Sequence, residues 1–332
     1  MTTKPEYLLT FQRDLLDSVL MSYEELLRGR NSQGLILMGS SGVGKTHGLD
    51  VLASNFLDWV QREPWATTAG IQPISPVLRY AADAKADANS MLTHLLARLG
   101  KVVLKEKRPG LGKLEADFLQ AMHARRVRLL ILEEFHNAIL KGTPQLRGQA
   151  ARLLKNIWNM APEDSSLGWS KPAPGRDDWR VIIVVSGTEE LLPVFDKDAE
   201  LSSRFSTIVR AQQLGFTPPA AFKEFRGVLK QMVAHEGLTG WLVANDNDLA
   251  ARIMLACNGH LRLLEKLLQR TATLWNKAGK NRDLPPLALL AQAFPAINSS
   301  GATNPFELAP EELQNRVASA LRQSNNQHKD WS

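Results

Sequence analysis

The sequence predicts an α/β protein: a parallel sheet covered by helices on both faces, followed by a region of helices alone. Three observations predict it. Short apolar runs recur at "LILM" (35–38), "ISPVLRYAA" (74–82), "VRLLILEE" (127–134) and "RVIIVVSG" (180–187). Such continuous runs mark strands buried on both faces. Between them lie stretches with apolar residues three and four apart, the spacing of a helix face, and strand–helix alternation implies parallel pairing. After "GFTPP" (215–219) the strand signals stop, and residues 220–275 read as helices only.

In order along the chain, Leu8, Phe11, Leu15, Val19, Tyr23 and Leu26 form one apolar stripe on a first helix, which "RGRNSQG" (28–34) breaks. The strand "LILM" leads into "GSSGVGKT" and then the helical run "HGLDVLASNFLDWVQR". "ANSMLTHLLARLG" (88–100) is helical, with Gly100 as its C-terminal cap. "KVVLKEKRPGLGK" (101–113) holds Pro and Gly and is expected as a loop or strand edge. "LEADFLQAMHARR" is a helix, and "QLRGQAARLLKNIWNM" (145–160) is amphipathic, with Leu146, Ala150, Leu153 and Ile157 inward. Residues 161–179 are turn-rich and polar, an inserted loop. The expected organisation is an N-terminal helical segment (1–33), an αβα core (34–215), a helical lid subdomain (216–290) and a tail (291–332).

Composition narrows the function classes. Apolar residues make up 44% and charged residues 22% of the 332, which suits a globular protein. The net charge of +6 is compatible with a polyanionic partner without requiring one. A single cysteine, Cys257, excludes an internal disulfide and reads as a small core residue. No stretch reaches 18 apolar residues, and the N-terminus lacks the form of a signal peptide, so the expectation is a cytoplasmic protein with no membrane partner.

"GSSGVGKT" fits the phosphate-loop pattern through Gly39, Gly44, Lys45 and Thr46. Glycines let the backbone wrap a phosphate chain, and the following helix N-terminus turns amides toward it. The loop residues Gly39, Ser40, Ser41, Gly42, Val43, Gly44, Lys45, Thr46 and His47 are therefore the candidate ATP-binding set. Lys45 would reach the β- and γ-phosphates, and the Thr46 hydroxyl would bind Mg²⁺. "LLILEE" ends an apolar strand on two carboxylates. Buried carboxylates need compensation, which a metal and a solvated cleft at the phosphate loop would supply. Glu133 would hold Mg²⁺ through water, and Glu134 would activate the attacking water. His136, just after them, reads as structural. "VIIVVSGTEEL" ends in small polar groups, with Thr188 placed beside the γ-phosphate and Ser186 as the second choice. Arg204 in "AELSSRFSTIV" would reach a γ-phosphate bound by a neighbouring subunit, and Arg262 in "GHLRLLEKLL" would touch the nucleotide of its own chain.

Taken together these motifs resemble an AAA+ ATPase of the initiator-like branch, and more closely the TnsC/TniB transposition ATPases. The resemblance rests on "GSSGVGKT", on "LLILEEFHNAILKGTPQLRGQAARLLKNIWN", on "VVSGTEEL" and on "DAELSSRF", and spans about residues 8–285. It implies an AAA+ P-loop NTPase fold with a parallel five-stranded sheet and a small all-helical lid. It also implies ATP hydrolysis, assembly into homo-oligomeric rings or filaments around double-stranded DNA, recruitment of a transposase, and positioning by a TniQ/TnsD-type target selector. Two features depart from the family: Glu133 stands where Asp is usual, and residues 161–179 are inserted.

For DNA, the basic residues Lys105, Lys107, Arg108 and Lys113 of the 101–113 segment are candidates. So are Arg147 and Lys155, with Arg152 beside them, on the helix after the paired carboxylates. Such side chains can track phosphates without reading sequence. In the tail, "NPFEL" and "PEELQNRVASAL" offer apolar anchors on a polar segment, a possible transposase-binding hook. Two further readings stay open: a replication initiator or helicase loader, and a nucleotide-locked scaffold with negligible turnover.

Overall fold

The computed structural model describes residues 8–27, 34–62, 76–83, 87–101, 109–140, 144–159, 181–298, 301 and 303–329. The 161–179 insertion and the basic residues Lys105, Lys107 and Arg108 lie outside them.

The chain forms two compact units, one of which comprises Thr10–Ser40 and Lys45–Ala211. Its five strands are β1 (Leu35–Met38), β2 (Val77–Ala81), β3 (Leu129–Glu133), β4 (Ile182–Gly187) and β5 (Thr207–Arg210). They form one parallel sheet in the order β2-β3-β4-β1-β5. The five-stranded parallel sheet that the resemblance implied is thus present. β1, β3 and β4 are buried at every position, as their unbroken apolar runs require. The fifth strand, "TIVR", is an edge strand with one buried residue. It has no apolar run to announce it.

The helices of this unit are α1 (Thr10–Leu27), α2 (Lys45–Gln61), α3 (Ala88–Arg98), α4 (Leu111–Ala124), α5 (His136–Leu140), α6 (Pro144–Asn159), α7 (Leu192–Asp196) and α8 (Ala199–Arg204). Successive strand residues point to opposite faces, and each face has its own cover. Ile36, Leu78, Tyr80, Leu130, Leu132, Ile183 and Val185 join one core with Leu92 and Leu95 of α3, Phe118 of α4 and Leu153 of α6. On the other face α1 and α2 lie against the strands. Arg79, between Leu78 and Tyr80, points to that second face. α4 starts three residues earlier than the apolar pattern indicates, so Lys113 sits exposed in its first turn rather than in a loop. Gly100, at φ +81°, does follow the end of α3, and the Lys101 amide donates back to Leu96 O at 2.9 Å.

The other unit is helical and runs from Gln212, with the loop tip Ser41–Gly44 grouped with it. Its helices are α9 (Pro219–His235), α10 (Asn247–Cys257), α11 (Leu261–Lys277), α12 (Pro286–Ala293) and α13 (Pro310–Lys329). Trp241 and Trp275 stack with ring centroids 5.1 Å apart, and their indole N–H groups donate to Leu284 O and Asn281 O. Cys257 is buried, which pushes its thiol up to about 12. "NPFEL" is held within this unit: Arg252 donates to Pro305 O at 2.7 Å and Leu308 O at 2.9 Å, and Phe306 is buried beside Phe294. The anchor Phe306 is therefore occupied by its own chain. No described helix is long and apolar enough to cross a membrane.

Candidate functional site

β1 runs straight into the glycine loop. The Gly39 amide donates to Gly187 O at 3.2 Å, and a Cβ on Gly39 would lie 2.3 Å from Ala211 O, so only glycine fits there. Gly42 and Gly44 hold φ of +84° and +96°, which aims the backbone around the loop at little steric cost. α2 then begins at Lys45, so its free amides and positive dipole end face the loop. Ser40, Ser41, Thr46 and His47 are exposed, and Val43 is buried beneath them. Lys45 is 5% exposed; its ammonium donates to Gly39 O at 2.7 Å and Ser40 O at 3.0 Å and lies 3.9 Å from Glu134 Oε1. Burial lowers its pKa, opposed by the charge of Glu134.

β3 ends on the carboxylate pair, whose two members differ. The Glu133 side chain is 7% exposed and that of Glu134 is 41% exposed. Glu134 has φ +48°, a left-handed turn that points its carboxylate back toward Lys45. The residues after it fix that turn. Phe135 is buried and its amide donates to Ser186 O at 2.8 Å; Asn137 Nδ2 donates to Ala82 O at 3.1 Å. His136 Nδ1 lies 3.4 Å from Glu134 Oε2, so the histidine read as structural also faces the site.

The compensation expected for Glu133 comes from another source. Arg79 of β2 donates to Glu133 through Nε and to Asp50 of α2 through Nη1, and Nη2 lies 3.3 Å from Thr46 O. Opposing burial, the hydrogen bonds to Glu133 and Asp50 raise the Arg79 pKa. Sequence reasoning missed this residue. The signal was present: an arginine at an inward-facing position of an otherwise apolar strand needs an acid nearby.

The remaining candidates sit as follows. Ser186 is buried in β4, and Thr188, one residue past the strand, is half-buried with Oγ1 3.3 Å from Glu190 Oε2. Arg204 is engaged within its own chain: it pairs with Glu200, donates to Lys155 O at 3.2 Å, and its guanidinium carbon lies 5.8 Å from the centre of the Trp158 ring. Lys155 pairs with Asp198 at 2.6 Å and Glu200 at 3.0 Å, all three side chains keeping contact with water. Arg152 is exposed on the same helix; the side chain of Arg147 lies outside the described residues. In the helical unit Arg262 is exposed at the start of α11, and its amide lies 3.4 Å from Gly42 O. The turn before it is tight: a Cβ on Gly259 would fall 1.7 Å from Leu214 O.

Among the described residues no group of three or more His, Cys, Asp or Glu side chains is placed to hold a metal ion. The donors at hand are the exposed Thr46 hydroxyl and the Glu133 carboxylate. Both are hard oxygens, the chemistry of a Mg²⁺ site completed by phosphate and water, with Glu133 already shared with Arg79.

This arrangement of a glycine loop after β1 and paired carboxylates after β3, on a sheet of order β2-β3-β4-β1-β5, defines an AAA+ P-loop fold. Residues 10–162, a little under half of the chain, match the model of the bacterial TniB protein. Solved structures agree on the fold. The chain is similar to the ORC2 protein of Aeropyrum pernix in ADPNP–ADP complexes, with a TM-score of 0.62 and 14% identity over 91% of this chain and 71% of that one. It is also similar to Cdc6p of Pyrobaculum aerophilum (0.57, 12%, 98% and 88%) and to the A. pernix ORC1 protein in complex with DNA (0.55, 14%, 90% and 68%). No curated protein sequence matches the chain.

Proposed function

We propose that this chain is an ATP-dependent DNA-binding ATPase that assembles with copies of itself on double-stranded DNA, marks a target site, and recruits and activates a transposase. The observation that carries the reading is the meeting of Lys45 and Glu134, 3.9 Å apart at the mouth of a glycine loop, in a chain whose residues 10–162 match the model of the bacterial TniB protein. Lys45 and the loop amides bind the β- and γ-phosphates. Thr46 and Glu133 would hold Mg²⁺, which would supply positive charge to neutralise those phosphates. Glu134 takes the proton of the attacking water, with His136 beside it, and Thr188 orients the γ-phosphate. Arg262 contacts nucleotide in the same chain, and Arg204 contacts the nucleotide of the next one. Turnover is slow and stimulated by DNA or partner. A TniQ/TnsD-type selector positions the assembly.

DNA is bound through its backbone by the basic segment holding Lys105, Lys107, Arg108 and Lys113, with Arg147 and Lys155, and Arg152 beside them. Replacing Lys105, Lys107 and Arg108 with Ala is expected to weaken DNA binding and flatten its salt dependence in an anisotropy titration. The whole reading is tested by ATPase assays with and without duplex, beside electron microscopy with ATP analogue. A chain that stays monomeric and ignores duplex when saturated with ATP and Mg²⁺ refutes it.

A replication initiator or loader is the second reading, favoured by the fold of the archaeal ORC and Cdc6 proteins. A distinct DNA-binding winged domain would support it, and among the described residues no strand follows Arg210. The third reading, a nucleotide-locked scaffold, predicts tight ATP binding with no duplex-stimulated turnover in the same assay.

A further inference from the structure

Three acceptors converge on the guanidinium of Arg79: the Glu133 carboxylate, the Asp50 carboxylate and the backbone carbonyl of Thr46. Thr46 and Glu133 are also the residues expected to hold the metal. The register explains how Arg79 reaches them. Ala81 of β2 sits opposite Glu133 of β3, so Arg79, two residues earlier, lies diagonally across on the same face. The methylene by which Glu exceeds Asp lengthens the arm from β3 toward this diagonal. Asp50, one turn beyond Thr46 on α2, holds the other side of the guanidinium.

A carboxylate next to a phosphate site repels a nucleotide unless a cation stands between them. In most such sites that cation is the metal. An arginine side chain carries a permanent charge in a fixed fork, and here the fork already sits on the carboxylate. We propose that Arg79 is a positioning residue that supplies, at Glu133, the positive charge a divalent cation would otherwise supply. The site then takes a nucleoside di- or triphosphate without needing Mg²⁺ for affinity, and the metal is required for turnover alone. This rests on the nucleotide-binding reading above and assigns the site a metal preference that reading does not contain.

The test is binding of a fluorescent ADP analogue to the full chain, in excess Mg²⁺ and in EDTA, with a melting curve for each variant. For the wild type the two affinities are expected to agree within about threefold. Arg79→Gln leaves Glu133 uncompensated and is expected to weaken binding in EDTA by about tenfold, the scale of one charge-assisted contact, while Mg²⁺ restores it. Glu133→Gln removes the repelling charge and is expected to tighten binding in EDTA. The double variant Arg79→Gln/Glu133→Gln, which leaves no lone charge, should bind as the wild type does. It also serves if the single arginine variant fails to fold. A purely structural arginine would make the double variant as weak as the single one. A wild type whose binding collapses in EDTA, with the same Mg²⁺ ratio in Arg79→Gln, overturns the proposal alone. No binding in either condition overturns the nucleotide reading and the proposal with it.

Discussion

Two charge clusters in the α/β unit have nearly the same parts and opposite settings. One, at the carboxyl ends of the strands, links Lys45, Glu134, Glu133 and Arg79, with Asp50 at its edge. The other, on helices, links Lys155, Asp198, Glu200 and Arg204. In the first, Lys45 and Glu133 are buried, and backbone carbonyls of the glycine loop complete the coordination of the ammonium. In the second, every member keeps contact with water; Glu200 and Arg204 pair within one helix, and Lys155 reaches Asp198 and Glu200 from another. The comparison teaches that burial, not the number of ion pairs, decides what a cluster does. Removing one partner from a buried pair leaves a charge that nothing solvates, whereas an exposed pair is replaced by water at little cost. The first cluster is thus committed to one geometry. The second can exchange partners, as the role proposed for Arg204 toward a neighbouring subunit requires.

The sharpest way to break the comparison is at the arginine itself. Arg204→Ala is expected to lower DNA-stimulated turnover by about 10³-fold, the scale of an arginine acting in trans. Nucleotide affinity of the isolated chain should stay unchanged. A matching loss of affinity would assign Arg204 to its own chain's site and erase the distinction between the clusters. Next in size, Lys45→Ala is expected to weaken nucleotide binding by about 100-fold, since it removes the cation proposed to meet the phosphates. Isothermal titration reads this directly. Third, Arg79→Ala is expected to destabilise the fold by about 3 kcal/mol through the uncompensated Glu133, measured by denaturant unfolding. An effect no larger than that of Glu200→Ala would show that burial does not separate the two clusters.

How far the sequence discloses this follows from the same contrast. β1, β3 and β4 are legible because a strand covered on both faces must be apolar throughout, and their ends carry the phosphate loop, the carboxylate pair and Thr188. β5 is not legible, because an edge strand of four residues with one buried position carries no pattern. Arg79 was passed over because a pattern search weighs apolar positions, and a single charge in "VLRYA" reads as noise until the partner strand is known. Arg128 repeats the lesson at the start of β3. It is fully buried, and burial first of all pushes its pKa down to about 10. The ion pairs of Lys155 are not legible either. A helical pattern places it on an outer face, and only the tertiary fold brings Asp198 and Glu200 to it. Helices of the C-terminal unit are legible by their spacing; the fixing of the Phe306 turn by Arg252 depends on residues more than fifty positions apart and is not.

The smallest expected effect concerns pH. The hydrogen bond from Lys155 comes first among the causes that hold Asp198 and Glu200 below the ordinary carboxylate range, and the same bonds raise Lys155. A lowered carboxylate pKa means the folded state binds its proton less readily than the unfolded chain does. The pair's contribution is therefore complete above the ordinary carboxylate value and is lost as pH falls through the lowered one. The raised lysine extends the upper limit beyond its ordinary value, so the contribution is flat across neutral pH. Melting temperatures of wild type and Lys155→Ala are accordingly expected to differ by a small, constant amount, about 2 °C or less, from pH 6 to 8. The two curves should converge only below the ordinary carboxylate range, where Asp198 and Glu200 take up protons at their lowered values. A large difference at neutral pH would mean that Lys155 holds α6 to α8 as firmly as Arg79 holds β2 to β3. Arg204 would then sit on a rigid support, and its service to a neighbouring subunit would require an approach without rearrangement.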